Sequence, residues 1–208
     1  MATERFTTAY RVVMAVVRPV LAWWGRLEVV GLDRLPAEGP VVLVANHDSH
    51  WDPLVIGLAA RPRRQIRALA KHELWKNRIV AAVLDGMGQI PIERGVGDTG
   101  ALDTAIARLR EGACIGVFPE GTVSKGKPHR IRSGAGFLAG AVPGTTLIGV
   151  AVSGSVDIAR FPRRPRLRVE VLPPAVAEDT RTARAEIARL MAEVREIAPV
   201  VAAGRRRG

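Results

Sequence analysis

A single cysteine, Cys114, excludes an internal disulfide and leaves no sign of an oxidising compartment. It lies in an apolar run, where a buried, inert thiol is expected. Aromatic residues make up only 4% of the chain, and two of the four tryptophans stand together at Trp23 and Trp24. No array of rings for stacking single-stranded bases is present, which counts against nucleic acid as a partner. Acidic side chains are the minority, 20 against 31 basic ones, for a formal net charge of +11. Only Lys71, Lys76, Lys125 and Lys127 are lysines, so nearly all of that charge is arginine. Such a balance attracts polyanions in general, whether nucleic acid, an anionic membrane face or a phosphorylated substrate.

Long hydrophobic runs are also missing. Residues 12–24 come nearest, but Arg18 and Pro19 interrupt them and they are too short to cross a hydrocarbon core about 30 Å thick. No small-residue cleavage site follows, so a secretory signal peptide is not expected. The remaining readings are a helix that packs on the domain and an amphipathic helix lying in a membrane interface. The second is preferred, with Trp23 and Trp24 at headgroup depth and Arg5, Arg11, Arg18 and Arg26 near lipid phosphates.

What is there fits one folded domain: 48% hydrophobic and 25% charged residues, with no repeats. The expected organisation is an N-terminal interface segment over 1–30, a catalytic domain over 31–200 and a basic tail over 201–208. A short unbroken apolar run at 41–45 reads as a strand buried on both faces, and 114–118 and 146–152 read as strands as well. Further strands are expected at 66–70 and 167–172, the latter stopped by Pro173 and Pro174, with a brief extended piece at 89–92. Helices are expected from Asp52, acting as a cap before Pro53, to residue 60, and over 72–84. Others follow Asp98 up to Gly112, cover 134–141, and run over 179–197. Strands alternating with helices predict an α/β sandwich with a mixed, largely parallel sheet flanked by helices and preceded by the N-terminal amphipathic helix.

Two constellations follow buried strands, the position where open α/β sheets bind ligands. The first is Asn46-His47-Asp48-Ser49-His50-Trp51-Asp52. A hydroxyl nucleophile needs a base with a pKa near neutrality, and a histidine base needs a carboxylate to fix its tautomer. His47 and Asp52, five residues apart across a turn, can supply both. The same residues allow blander readings: Asp52 as a helix cap, Asp48 and His50 as surface groups, or His47, His50 and Asp52 as metal ligands. No further His or Cys group completes a metal site, so none is expected. The second constellation is Phe118-Pro119-Glu120-Gly121-Thr122. Its glycine permits close backbone approach to a ligand, and the Thr122 hydroxyl and nearby amides suit phosphate oxygens. Glu120 can orient a hydroxyl or hold the loop. Lys125, Lys127, Arg130 and Arg132 then form either an anionic-headgroup cradle or a solvated basic loop. Gly134, Gly136 and Gly140 have the wrong spacing for a dinucleotide fingerprint and are assigned to close helix packing.

The ordered pair of motifs, His-x4-Asp followed by Phe-Pro-Glu-Gly-Thr, resembles the glycerophospholipid acyltransferase family, to which 1-acylglycerol-3-phosphate acyltransferases belong. Residues 88–94, Gly-Gln-Ile-Pro-Ile-Glu-Arg, resemble the family's intervening block, and residues 147–154 its apolar fourth block. The resemblance implies His47 as general base and Asp52 as its orienting partner. It implies acceptor binding by Arg94, Glu120, Gly121 and Thr122, and places Lys71 near the acceptor phosphate. Two positions depart from the pattern: Val123 stands where an arginine is usual, and Gly149 where a proline is usual. One phosphate contact implied by the resemblance is then absent, or supplied by Lys125, Lys127 or Arg132.

The expected activity is transfer of a fatty acyl group from acyl-CoA or acyl carrier protein to the free hydroxyl of lysophosphatidic acid, without an acyl-enzyme, metal or redox cofactor. The expected setting is the cytoplasmic side of an anionic membrane, as a peripheral protein that does not bind nucleic acid. Acylation of glycerol 3-phosphate or another glycolipid by the same chemistry, and a non-enzymatic basic domain that binds membrane or nucleic acid, are the alternatives.

Overall fold

The computed structural model describes residues 6–93, 98–159 and 164–201. Arg94, one of the expected acceptor-binding residues, lies outside them. Among the described residues, eight strands form one sheet: β1 (Glu28–Val30), β2 (Val41–Ala45), β3 (Ile66–Lys71), β4 (Ile90–Ile92), β5 (Cys114–Val117), β6 (Thr145–Ser153), β7 (Arg168–Val171) and β8 (Ala175–Ala177). Their order is β1-β7-β6-β2-β5-β3-β4, with β8 paired to β6. Every pairing is parallel except β6 with β7 and β6 with β8. The same residues form the α-helices α1 (Thr8–Arg18), α2 (Asp52–Ala60), α3 (Arg78–Gly86), α4 (Thr99–Arg110), α5 (Gly134–Gly140) and α6 (Thr180–Ile197). The sheet is thus mixed, mostly parallel and covered on both sides, as the alternating pattern implies.

Strand β2 shows why both faces are apolar. Val41, Leu43 and Ala45 enter one core together with Tyr10 and Met14 of α1 and Val55 and Ile56 of α2. Val42 and Val44 enter the other, with Leu109 of α4, Leu138 of α5 and Ile187, Leu190 and Val194 of α6. All five β2 residues are buried, so the run needs no polar alternation. Cys114 is a buried free thiol in β5. The entrance to β2 is tied down by Arg64, whose guanidinium donates to the carbonyls of Pro36 (3.1 Å), Gly39 (3.0 Å) and Gly112 (2.6 Å).

Helix α5 and helix α6 meet through glycines. A Cβ on Gly140 would lie 2.4 Å from the Thr180 backbone, and one on Gly136 would lie 2.4 Å from Arg184 Cγ. Close helix contact therefore explains the glycine run. The contact also fixes α6, begun by a capping box between Asp179 and Thr182, against the sheet.

Three elements differ from the sequence reading. Residues 72–84 do not form one helix: a 3₁₀ turn covers His72–Lys76, and α3 starts at Arg78 because the Asn77 side chain accepts from Ile79 N (3.0 Å) and Val80 N (3.2 Å). Pro173 and Pro174 end β7, yet the chain resumes as β8 on the edge of β6. Residues 28–30 form β1, which joins the sheet beside β7. Ahead of it, α1 runs on into a π-helical turn at Pro19–Trp24.

Among the described residues, no helix is long and apolar enough to cross a membrane. Helix α1 is two-sided. Tyr10 and Met14 are buried, with the Tyr10 hydroxyl donating to Gly57 O at 2.9 Å, and burial pushes that phenol well above its ordinary pKa. The other side exposes Val12 and Val16.

Candidate active site

The carboxyl ends of the parallel strands β2, β5, β3 and β4 lie on one edge of the sheet. They deliver the His47 turn, the Glu120 loop and Lys71 to that edge.

The turn after β2 is built inward. Asn46 continues the strand pairing with its side chain: Val152 N donates to Asn46 Oδ1, and Asn46 Nδ2 donates to Val152 O, each at 2.8 Å. His47 follows, with only 6% of its surface exposed, and its Nδ1 lies 3.1 Å from Asp52 Oδ2. Asp52 is fully buried, and the same oxygen accepts from Asp48 N (2.7 Å) and Ser49 N (2.8 Å). The sequence suggested that Asp52 caps its helix. It is instead the first residue of α2, its helix has no side-chain cap, and its carboxylate faces back over the preceding turn.

That orientation has a chemical consequence. A carboxylate oxygen is an acceptor, so the ring nitrogen facing it carries the proton and Nε2 keeps its lone pair. Asp52 also supports the imidazolium that forms when Nε2 takes up a proton. The ring stacks on Phe118 with centroids 4.1 Å apart and planes inclined by 20°, which fixes it from the side.

Phe118 begins the loop after β5. Gly121 N donates to Phe118 O at 2.9 Å, and the turn places Gly121 at φ 72°, in the region that favours glycine. A Cβ there would lie 2.5 Å from Arg132 Nε, so the glycine also makes room for the arginine. Ser124 joins the two loops: its N–H donates to His47 O at 2.7 Å and its hydroxyl donates to Asp48 Oδ1.

The Glu120 carboxylate is buried and meets a guanidinium. Arg195 of α6 donates from Nε to Glu120 Oε1 (2.7 Å) and from Nη2 to Oε2 (2.5 Å), while its Nη1 donates to Asp48 Oδ2 (2.8 Å). Burial lowers the Arg195 pKa, but the bonds to Glu120 and Asp48 outweigh it and hold the group above its ordinary value. Glu120 thus holds the loop, one of the two roles open to it.

Other candidates are more dispersed. Thr122, Lys125 and Arg132 are exposed on the same loop, and Lys125 has a left-handed backbone at φ 48°. Lys71 is exposed at the end of β3 and pairs with Glu73 at 2.7 Å; that bond to Lys71 lowers the Glu73 pKa. His50 is exposed, and among the described residues no cluster of His, Cys, Asp and Glu is arranged to hold a metal ion. On the β6 side of the His47 turn, a cavity of about 290 Å³ is bordered by Asp48, Val152, Gly154, Arg166 and Pro199.

Sequence reasoning assigned no role to Asn46, Ser124 or Arg195. Asn46 sits in the first motif and Ser124 beside the second, so proximity could have flagged both. Arg195 carries no local signal.

A family model described as Acyltransferase matches residues 26–153. Among curated proteins, the 1-acyl-sn-glycerol-3-phosphate acyltransferase of Bacillus subtilis is 28% identical over 113 residues, 54% of this chain and 56% of the relative. The protein of the same name from Borreliella burgdorferi is 32% identical over 130 residues, 61% of this chain and 51% of the relative. The chain therefore spans about half the length of these relatives. The crystal structure of the 1-acyl-sn-glycerophosphate acyltransferase of Thermotoga maritima shares the fold, with a TM-score of 0.64 at 20% identity, over 90% of this chain and 81% of that one. Both motif loops fall inside residues 26–153, which are more than half of the chain, and the protein accordingly belongs to the glycerophospholipid acyltransferase family.

Proposed function

We propose that this protein transfers a fatty acyl group from acyl-CoA or acyl carrier protein to the free hydroxyl of lysophosphatidic acid, in phospholipid synthesis. The observation that carries this reading is the buried His47–Asp52 pair, 3.1 Å apart at the carboxyl edge of the sheet with the Phe118 ring against the imidazole. His47 Nε2 takes the proton of the acceptor hydroxyl while its oxygen attacks the thioester carbonyl, and Asp52 steadies the imidazolium. The tetrahedral adduct then collapses: the carbon–sulfur bond breaks, the thiolate leaves, and the proton passes to it from His47. The products are the ester and a free thiol, and His47 returns to its neutral state.

The acceptor phosphate is assigned to cationic and amide groups on the same edge. These are Lys71 beyond β3, and Gly121, Thr122, Lys125 and Arg132 of the loop after β5; Arg94, outside the described residues, is assigned with them from its motif alone. Arg132 beside Gly121 supports this, because it sets a guanidinium directly over the glycine backbone.

The setting is the cytoplasmic side of an anionic membrane, with the protein bound peripherally. Its support is an apolar surface on two packed helices. Val16 of α1 is 70% exposed, Ile79 of α3 78%, and Trp23 of the turn after α1 72%, with Arg164 over the Trp23 ring at 5.2 Å. Indole and guanidinium side by side suit the headgroup layer.

The test is acceptor-dependent release of free thiol from one acyl-CoA by the purified protein. Lysophosphatidic acid, glycerol 3-phosphate and a neutral glycolipid are offered in turn, on anionic vesicles. Release only with lysophosphatidic acid is expected. Release with glycerol 3-phosphate alone changes the acceptor and keeps the chemistry, and no acceptor-dependent release with any of them rejects the reading.

A further inference from the structure

We infer that Arg195, near the end of the last helix and beyond the residues matched by the family model, is a positioning residue that holds both loops of the active site in register. The proposal rests on the acyl-transfer reading and deepens it.

The observations converge on one guanidinium. Its five N–H donors lie in a fixed plane, so one arginine can grip two carboxylates at set angles where a lysine offers a single rotating head. Here one edge forks onto Glu120, and Nη1 reaches both Asp48 Oδ2 and Ala198 O, the latter at 3.3 Å. Side-chain exposure is 18% for Arg195, 5% for Asp48 and 3% for Glu120, so the contacts are little screened by solvent.

Each carboxylate leads to the imidazole by a short path. Asp48 directly follows His47 in the chain, and its N–H donates to Asp52 Oδ2, the oxygen that faces His47 Nδ1. Asp48 is further fixed by Asn46 Nδ2 at 2.8 Å and by the Ser124 hydroxyl. Glu120 belongs to the turn whose first residue, Phe118, stacks on the imidazole. Arg195 therefore braces both the carboxylate side and the ring face of His47, without touching the imidazole. Sequence separations of 75 and 147 residues mean that α6 must dock before the loops are locked.

A misplacement of about 1 Å around reacting groups can cost on the order of a hundredfold in rate. Removing a cation from two buried carboxylates also threatens folding, so the test avoids relying on Arg195→Ala. Arg195→Lys keeps the charge and loses the fork. Asp48→Asn/Glu120→Gln/Arg195→Met removes all three charges together and leaves none uncompensated.

Both variants are compared with the parent in steady-state transfer from acyl-CoA to lysophosphatidic acid. In parallel, the low-field Nδ1 proton of His47 is followed by NMR without substrates and identified by its loss in His47→Gln. The expected result for Arg195→Lys is a fall in kcat of about tenfold or more with both KM values within about twofold, and a displaced or lost His47 proton line. The triple variant should show the same pattern.

Folded variants with parental kcat and an unchanged proton line overturn the proposal, as does a loss of rate matched only by a loss of folded protein. If the parent itself transfers no acyl group, the functional reading fails, while the proton line still decides whether Arg195 positions His47.

Discussion

The two loops at the carboxyl edge are built to opposite designs. The turn after β2 points inward: Asn46, His47, Asp48 and Asp52 are all buried and bonded to β6, α2, α6 and the neighbouring loop. The loop after β5 starts in the same way at Phe118 and Glu120, then turns out, so that Lys125, Lys127, Arg130 and Arg132 are exposed. On the proposed function, the difference separates two tasks. Proton transfer depends on distances held to fractions of an ångström, which burial and multiple hydrogen bonds provide. Gripping the phosphate of a lipid acceptor tolerates a solvated, adaptable arm of cations.

That division can be broken at its strongest point by His47→Ala, which removes the proposed base and is expected to lower kcat about a hundredfold or more. Retention of near-parental transfer by the purified variant would show that the inward loop is not where the chemistry happens. Ser124→Ala removes the side-chain bond to Asp48 between the two loops and keeps the backbone bond to His47 O. A hydrogen bond to a charged group contributes about 1.5–3 kcal/mol, so the midpoint of urea unfolding should fall by a corresponding amount. An unchanged midpoint would mean that the Ser124 hydroxyl does not help to tie the loops together.

The outward loop should respond differently. Lys125→Ala and Arg132→Ala are each expected to raise KM for lysophosphatidic acid about three- to tenfold, with kcat and the KM for acyl-CoA nearly constant. Equal effects on donor and acceptor would remove the phosphate assignment.

The smallest expected effect sharpens the same contrast from the far end of α6. Asp179 caps that helix, and its bonds to Thr182 hold its carboxyl below the ordinary range. A depressed folded-state pKa adds stability above the ordinary aspartate pKa, and the gain is lost as pH falls through the lowered value. Thermal unfolding of Asp179→Ala should therefore lie slightly below that of the parent at neutral pH and converge with it in acid. A gap that persists in strong acid would show that the cap acts otherwise.

How much was readable from the chain follows from the range of each interaction. Strand β2 announces itself because residues buried on both faces must be apolar throughout. The His47–Asp52 pair spans five residues across one turn, so spacing alone brings the groups within reach. Short edge strands such as β1 and β8, three residues each, are stabilised by their neighbours and leave no periodicity to detect. The break at Asn77 was hidden because a helical apolar pattern continues across it.

The sequence by itself determined the layered α/β fold, the two motif loops and the chemistry of the groups they carry, since all of these are written in contiguous or nearly contiguous residues. Only the tertiary structure decided that Asp52 turns back toward the imidazole, and that Glu120 and Asp48 share Arg195. An arginine in the last turn of a helix already has a sufficient local explanation in the helix dipole. Its bonds to residues 75 and 147 positions away exist only because α6 packs closely on α5 and brings opposite charges together out of water.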